Sequence, residues 1–123
     1  MAERAEIQDI LLLLKACLML ERYSVMDRQK NRQALISMGL RTEERREALL
    51  SLETEDYVGG PKPDDTDGTK EVWEFGKNVH GTDVYIKFRI VEDPKNKRLH
   101  WAGIWSFHEA EYSLEYTLKG GDV

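Results

Sequence analysis

The chemistry-bearing residues of this 123-residue chain gather in its C-terminal half. "SFHEAEY" holds His108 with Glu109 and Glu111, directly after the apolar run "RLHWAGIW". Upstream, "DVYIKFRIVE" sets Tyr85, Lys87 and Arg89 at alternate positions, and "EVWEFGKNV" adds Glu74 and Lys77. Histidine is the side chain suited to moving protons near neutral pH. Lysine and arginine stabilise charge on a phosphorane, and a tyrosine stacks on a base or passes a proton. Together these types suffice for metal-independent RNA cleavage, in which the 2′-hydroxyl attacks its own phosphodiester. DNA lacks that hydroxyl.

Other chemistries fit less well. "HEAEY" lacks the second histidine four positions on that a zinc helix needs, since Tyr112 stands there. The histidines at 80, 100 and 108 are scattered, and we expect neither a metal nor a cofactor. Cys17, the sole cysteine, lies in an apolar helical stripe and reads as an inert core thiol. Ser106 beside His108 is no triad signature. "VGGPKP" lacks the Lys-Ser/Thr of a phosphate-binding P-loop. "DDTDG", Asp64 to Gly68, lacks the closing glutamate of a calcium loop and reads as a solvated acidic turn.

Charge sets the context. Eighteen Lys and Arg against 23 Asp and Glu leave a net charge of −5, with both signs mixed along the chain. No basic arm announces nucleic acid, although a local basic pocket can exist on an acidic protein. A single cysteine rules out an internal disulfide. "ILLLLKACLML" is too short to span a bilayer, which takes roughly 20 residues. The expectation is a cytoplasmic protein without membrane contact.

These residues must be positioned by a single domain, 1–123, whose character changes near residue 57. Over 1–56 helix formers dominate. Ile7, Ile10, Leu11, Leu14, Cys17 and Leu18 fall at helical spacing, predicting a helix over Ala5–Glu21. A second begins near Asp27, a candidate N-cap, and ends at Gly39. A third opens with Thr42 as N-cap and buries Ala48, Leu49 and Leu52. "DYVGGPKPDDTDGT" reads as a loop. Over 71–112 the period becomes two, predicting three antiparallel strands with a tight turn at "HGT". The fold class is therefore α+β, with N-terminal helices on a C-terminal antiparallel sheet of three or slightly more strands. Val84, Ile86, Phe88 and Ile90 should face the helices, joined by Trp105 and Phe107. Tyr85, Lys87, Arg89, Ser106 and His108 should share the opposite face. That assignment depends on register, which a single bulge inverts.

Three blocks, "LSLETEDYVGGPKPD", "VWEFGKNVHGTDVYIKFRI" and "SFHEAEY", resemble the motility quorum-sensing regulator (MqsR) type of toxin, among the RelE-like ribonuclease toxins. The resemblance runs roughly from Asn31 to Tyr116. It implies helices on a twisted antiparallel sheet and cleavage of mRNA. It also implies a cognate antitoxin protein as partner. Tyr85 in "VYIK" matches a family tyrosine tied to activity. His108 takes the place of a catalytic lysine, Glu74 lies near an active-site glutamine, and Lys62 is a displaced equivalent of a family lysine. His108, Tyr85 and Lys87 are thus the expected catalytic residues. Arg89, Lys77, Glu74 and Lys62 are the expected RNA-binding ones. The competing expectation is a non-catalytic protein that uses the same surface to bind a partner.

Overall fold

The computed structural model describes residues 2–118. Helix α1 (Arg4–Met19) is followed by strand β1 (Tyr23–Val25) and helices α2 (Gln29–Met38) and α3 (Thr42–Leu50). A 3-10 turn, Thr54–Asp56, leads into β2 (Tyr57–Pro63), β3 (Glu71–Val79), β4 (Thr82–Glu92) and β5 (His100–Glu109). The five strands form one mixed sheet in the order β1-β5-β4-β3-β2.

α1 forms for the predicted reason: Ile7, Leu11, Leu14, Cys17 and Leu18 are all buried on one stripe. The Glu6 carboxylate accepts the Glu3 N–H at its start, satisfying a donor that has no partner within the helix. Glu44 does the same for Arg41 at the start of α3. This shifts the caps by one residue from expectation. Arg41, not Thr42, is the N-cap of α3, and Arg28, not Asp27, that of α2. Asp27 instead pairs with Arg32. Gly39 ends α2 in the left-handed conformation, as its position predicted.

The sheet differs from the expected three antiparallel strands in two places. β1 lies before residue 50 and pairs parallel to β5, with Tyr23 opposite Ala102 and Val25 opposite Ile104. Three residues are too few to show a period, so its pairing comes from the exposed edge of β5 rather than from local pattern. β2 occupies the stretch read as a loop. It pairs antiparallel to β3 with register shifts around Gly59. Pro61 and Pro63 cannot donate to a ladder, and β2 is an edge strand, where that loss is tolerated. Gly60, at φ 104°, passes so close to β3 that an added β-carbon would lie 2.7 Å from the Val72 carbonyl oxygen.

β3 and β4 meet at the predicted turn, where His80 and Gly81 both have positive φ, the signature of a tight hairpin. β4 and β5 pair in register from Val84–Glu109 to Lys87–Ser106, then shift, so that Phe88 opposes Ile104. Trp105 is the extra residue of this bulge. Downstream of it the parity of β5 reverses. Phe107, Ile104 and Ala102 all reach the core, while Trp105, expected there, is displaced onto the opposite face beside Lys87.

The core lies between the sheet and the pair α1 and α3. Phe75, Val84, Ile86, Phe88, Ile104 and Phe107 are fully buried against Leu14, Leu18, Leu49 and Leu52. Phe75 and Phe88 stack with centroids 5.5 Å apart. α2 packs Leu35 and Met38 against the margin of this core and runs beside β5 where β1 ends. There Asn31, 1% exposed, replaces the missing strand. Its Oδ1 accepts the Phe107 N–H at 2.9 Å, and its Nδ2 donates to the Trp105 and Met26 carbonyls at 2.9 and 3.0 Å. One carboxamide thus satisfies strand-edge groups that burial would otherwise leave unpaired.

Candidate active site

The sheet face away from α1 and α3 carries two adjacent rows of side chains. One row is Gly76–Tyr85–His108 across β3, β4 and β5. The next is Gly59–Glu74–Lys87–Ser106, which extends to β2. Alternation along each strand sends all of these residues to one side, as expected for the half-covered sheet. The register places the bulge beyond both rows, so it leaves His108 beside Tyr85.

The Tyr85 and His108 rings have centroids 5.7 Å apart and are tilted by 46°. His108 is buried, and its Nδ1 lies 3.0 Å from the Glu109 carbonyl oxygen. A carbonyl only accepts, so Nδ1 carries the proton in this contact and Nε2 is the nitrogen left to take one. The Tyr85 hydroxyl donates to Glu74 Oε2 at 2.5 Å, and the Lys62 ammonium contacts the other carboxylate oxygen. Burial pulls the Glu74 carboxyl up. The hydrogen bonds from Lys62 and Tyr85, with the charges of Lys62 and Lys87, outweigh it and leave the group below the usual carboxylate range. Tyr85 moves the other way. Burial, then the hydrogen bond to Glu74, push its phenol well above the ordinary value. The pair is therefore a carboxylate holding a neutral phenol, with an imidazole alongside.

Positive charge flanks these groups. Lys87 reaches over the Trp105 ring, 5.9 Å from its centroid. Arg28 was not singled out in the sequence, yet it donates to Ser106 Oγ at 2.8 Å and to the Trp105 carbonyl at 3.1 Å. No local signal marks Arg28. It arrives because β1 returns the chain to the β5 edge, 78 positions away in sequence from Ser106. Among the described residues neither Lys87 nor Arg28 lies within ion-pair distance of a carboxylate.

Two expected cations are engaged elsewhere. Arg89 shares the face but binds Asp64 at 3.1 Å. Asp64 is not the solvated loop residue it resembled. It is 8% exposed and accepts hydrogen bonds from the Thr66 amide and hydroxyl. Lys77 has the parity of Phe75 and lies on the helix side, where it binds Asp56 at 3.2 Å and the Ser51 carbonyl. It is separated by the sheet from Tyr85 and His108. Glu109 contributes its backbone carbonyl, and Glu111 pairs with Lys30 of α2 at 3.0 Å.

A groove of about 600 Å³ opens over Glu74, Tyr85 and His108, with Lys62 on its β2 side. Residues 111–117 supply much of the opposite wall. That segment seats on Gly76, where an added β-carbon would come within 2.5 Å of Leu114 Cδ1 and of the Tyr116 hydroxyl. A glycine in the first row is thus what allows the segment to cross the sheet.

Cys17 is buried in the core, and burial pushes its thiol up, as befits an unreactive packing residue. Among the described residues no three His, Cys, Asp or Glu side chains are grouped to hold a metal ion. No described helix is long and apolar enough to cross a membrane. Compared with protein-family models and with curated proteins, the chain matches none.

Proposed function

We propose that the chain is a metal-independent endoribonuclease, the toxin of a toxin–antitoxin pair, acting on mRNA at the Glu74–Tyr85–His108 site. The observation that carries the reading is the juxtaposition of His108, with Nε2 free to accept, and a Tyr85 hydroxyl fixed by Glu74, at the floor of an open groove. His108 Nε2 takes the proton of the 2′-hydroxyl. The 2′-oxygen bonds to phosphorus, the bond to the 5′-oxygen breaks, and the 5′-oxygen takes a proton from water in the groove; the hydroxide left behind takes the proton back from His108, so that the base is restored. Lys87 stabilises the charge that develops on the phosphorane. Tyr85, whose one hydroxyl proton goes to Glu74, positions the nucleoside with its ring and its hydroxyl oxygen. Its phenol is a poor acid in this setting, so its role is positional rather than proton donation. The products are a 2′,3′-cyclic phosphate and a 5′-hydroxyl.

The test is incubation of the purified protein with a single-stranded RNA in the presence and absence of EDTA. Cleavage should survive EDTA, leave cyclic phosphate ends and vanish on a fully 2′-deoxy oligomer. His108→Ala should lower it by roughly 10²–10⁴-fold, the usual size of a general acid–base contribution. Cleavage of the deoxy oligomer, or an unchanged rate in the variant, would overturn the reading.

A second reading, a partner-binding protein without catalysis, is favoured by the apolar side chains left exposed on the helices. Leu12, Met19 and Leu20 at α1 and Ile36 on α2 all face solvent. A cognate antitoxin would occupy such a surface under the first reading as well. Co-expression with the adjacent open reading frame should then yield a stable complex. Harmless expression of the chain alone, with no complex recovered, would count against the toxin assignment.

A further inference from the structure

Past Lys87 the same face continues into a second recess of about 310 Å³ that the proposed chemistry does not use. Its floor is the row Ser24–Gly103–Arg89 across β1, β5 and β4. Gly103 leaves that floor bare: an added β-carbon would meet only Arg89 Cγ, at an ordinary 3.8 Å. Trp101 and Trp105 line the recess. Trp101 is held in place, because its Nε1 donates to Asp93 at 3.1 Å and the Arg22 guanidinium sits 4.3 Å over its ring. It remains 40% exposed. At the recess wall the Arg89–Asp64 pair offers a donor and an acceptor.

The chemistry of the lining selects a ligand class. Two indoles over a bare floor suit a flat ring. The volume lies at the low end of the range of about 300–1,000 Å³ for small-molecule sites, so it holds one ring system rather than an extended ligand. Arg28 and Lys87 both lie over Trp105, 5.4 and 5.9 Å from its centroid. They are the two cations of this face that lack a carboxylate partner among the described residues. On a chain of net charge −5 this local positive charge does not follow from composition. A flat polar ring joined to an anion is a nucleotide, and an interleaving of aromatic and basic side chains is how single strands are bound.

We infer that the Trp101–Trp105 recess is a nucleobase subsite for single-stranded RNA, with the attached phosphate meeting Arg28 and Lys87 on the way to His108. The inference deepens the ribonuclease reading and rests on it. A paired base in a duplex stays stacked on its neighbours and cannot enter, so the substrate is unpaired RNA.

Tryptophan fluorescence tests this directly, because the third tryptophan, Trp73, is buried in the core and gives a constant background. The wild-type protein is titrated with a 2′-O-methyl RNA tetranucleotide, which cannot be cleaved. The same backbone without bases, and inorganic polyphosphate, serve as comparisons. The tetranucleotide should quench emission, and the abasic chain and polyphosphate should bind far more weakly. Trp101→Ala and Trp105→Ala should each weaken binding of the tetranucleotide by about 5- to 150-fold, the range for loss of one stacked base. Gly103→Leu fills the floor without removing an indole and should do the same, which decides the matter if a tryptophan variant fails to fold. Equal binding of the abasic chain or of polyphosphate, or unchanged affinity in the Gly103 variant, would overturn the subsite. Base-dependent binding without any RNA cleavage would leave the subsite standing and remove the catalytic reading. Cleavage with an unchanged KM in all folded variants would do the reverse.

Discussion

Asp93 shows how one side chain presets a surface. Its carboxylate accepts from the Lys95 and Asn96 amides, the Arg22 guanidinium at 2.7 Å and the Trp101 indole. The Lys95 amide and then Arg22 hold its pKa down, to about 2. A folded value below the unfolded one, about 3.9 for aspartate, means that the stabilisation is fully present above that pH and is lost as pH falls toward 2. Comparison of thermal melts of the wild type and Asp93→Asn should show a constant gap from pH 7 to about 4, closing below it. A gap that persists at pH 2 would mean that the contact acts through shape rather than charge. His108 and Tyr85 were legible as candidates because their residue types announce proton chemistry. The tautomer of His108 was not, since it is set by the Glu109 carbonyl at the strand end. Nor was the engagement of Arg89 by Asp64, which only the folding of the 64–70 turn onto the sheet produces.

At the scale of elements, β5 is the strand on which the site depends, and its outer edge is completed in two ways: by β1 over residues 102–104 and by Asn31 beyond them. Removing the carboxamide leaves the Phe107 N–H and the Trp105 carbonyl without that partner in a buried setting, at about 1–3 kcal/mol for each orphaned group. Asn31→Ala should therefore lower stability by about 2 kcal/mol or more in urea denaturation. Asn31→Asp should also be destabilising, because it keeps the acceptor for Phe107 but loses both donors. A cost under about 0.5 kcal/mol would show that water replaces the carboxamide. The 112–118 segment depends on Gly76 in a different way. The atoms that a β-carbon would strike are the far ends of Leu114 and Tyr116, which can swing away, so the sheet itself need not distort. Gly76→Val should keep the circular dichroism of the wild type while making 112–118 a preferred site of limited proteolysis. Equal protection in both proteins would mean that the segment is held by other contacts. The helices and the β3–β4 hairpin were readable from period and turn residues. β1 and β2 were not: one is too short to show alternation, and the other is masked by prolines that only an edge position tolerates.

For the whole molecule, an acidic chain carries a basic and aromatic strip along one sheet face, and the two facts have separate consequences. Under the proposed ribonuclease reading, net charge would repel RNA at long range, where salt screens the repulsion, while Lys87 and Arg28 would act at contact. RNA affinity should fall with rising salt, and Lys87→Ala should reduce the slope of log affinity against log salt by about one. An unchanged slope would place the phosphate elsewhere. The sequence by itself determined the fold class, the helical stripe that closes the core, and the division of β4 into a buried face and an open one that carries Tyr85 and Lys87. All of these follow from periodicity, which is local. Only the tertiary structure decided the rest. The Trp105 bulge reversed the parity of β5 and moved an indole from the core to the open face. The return of β1 and α2 brought Arg28 and Asn31 to β5, and the sheet separated Lys77 from the site. Register and chain return join residues tens of positions apart, and no local pattern of residues encodes them.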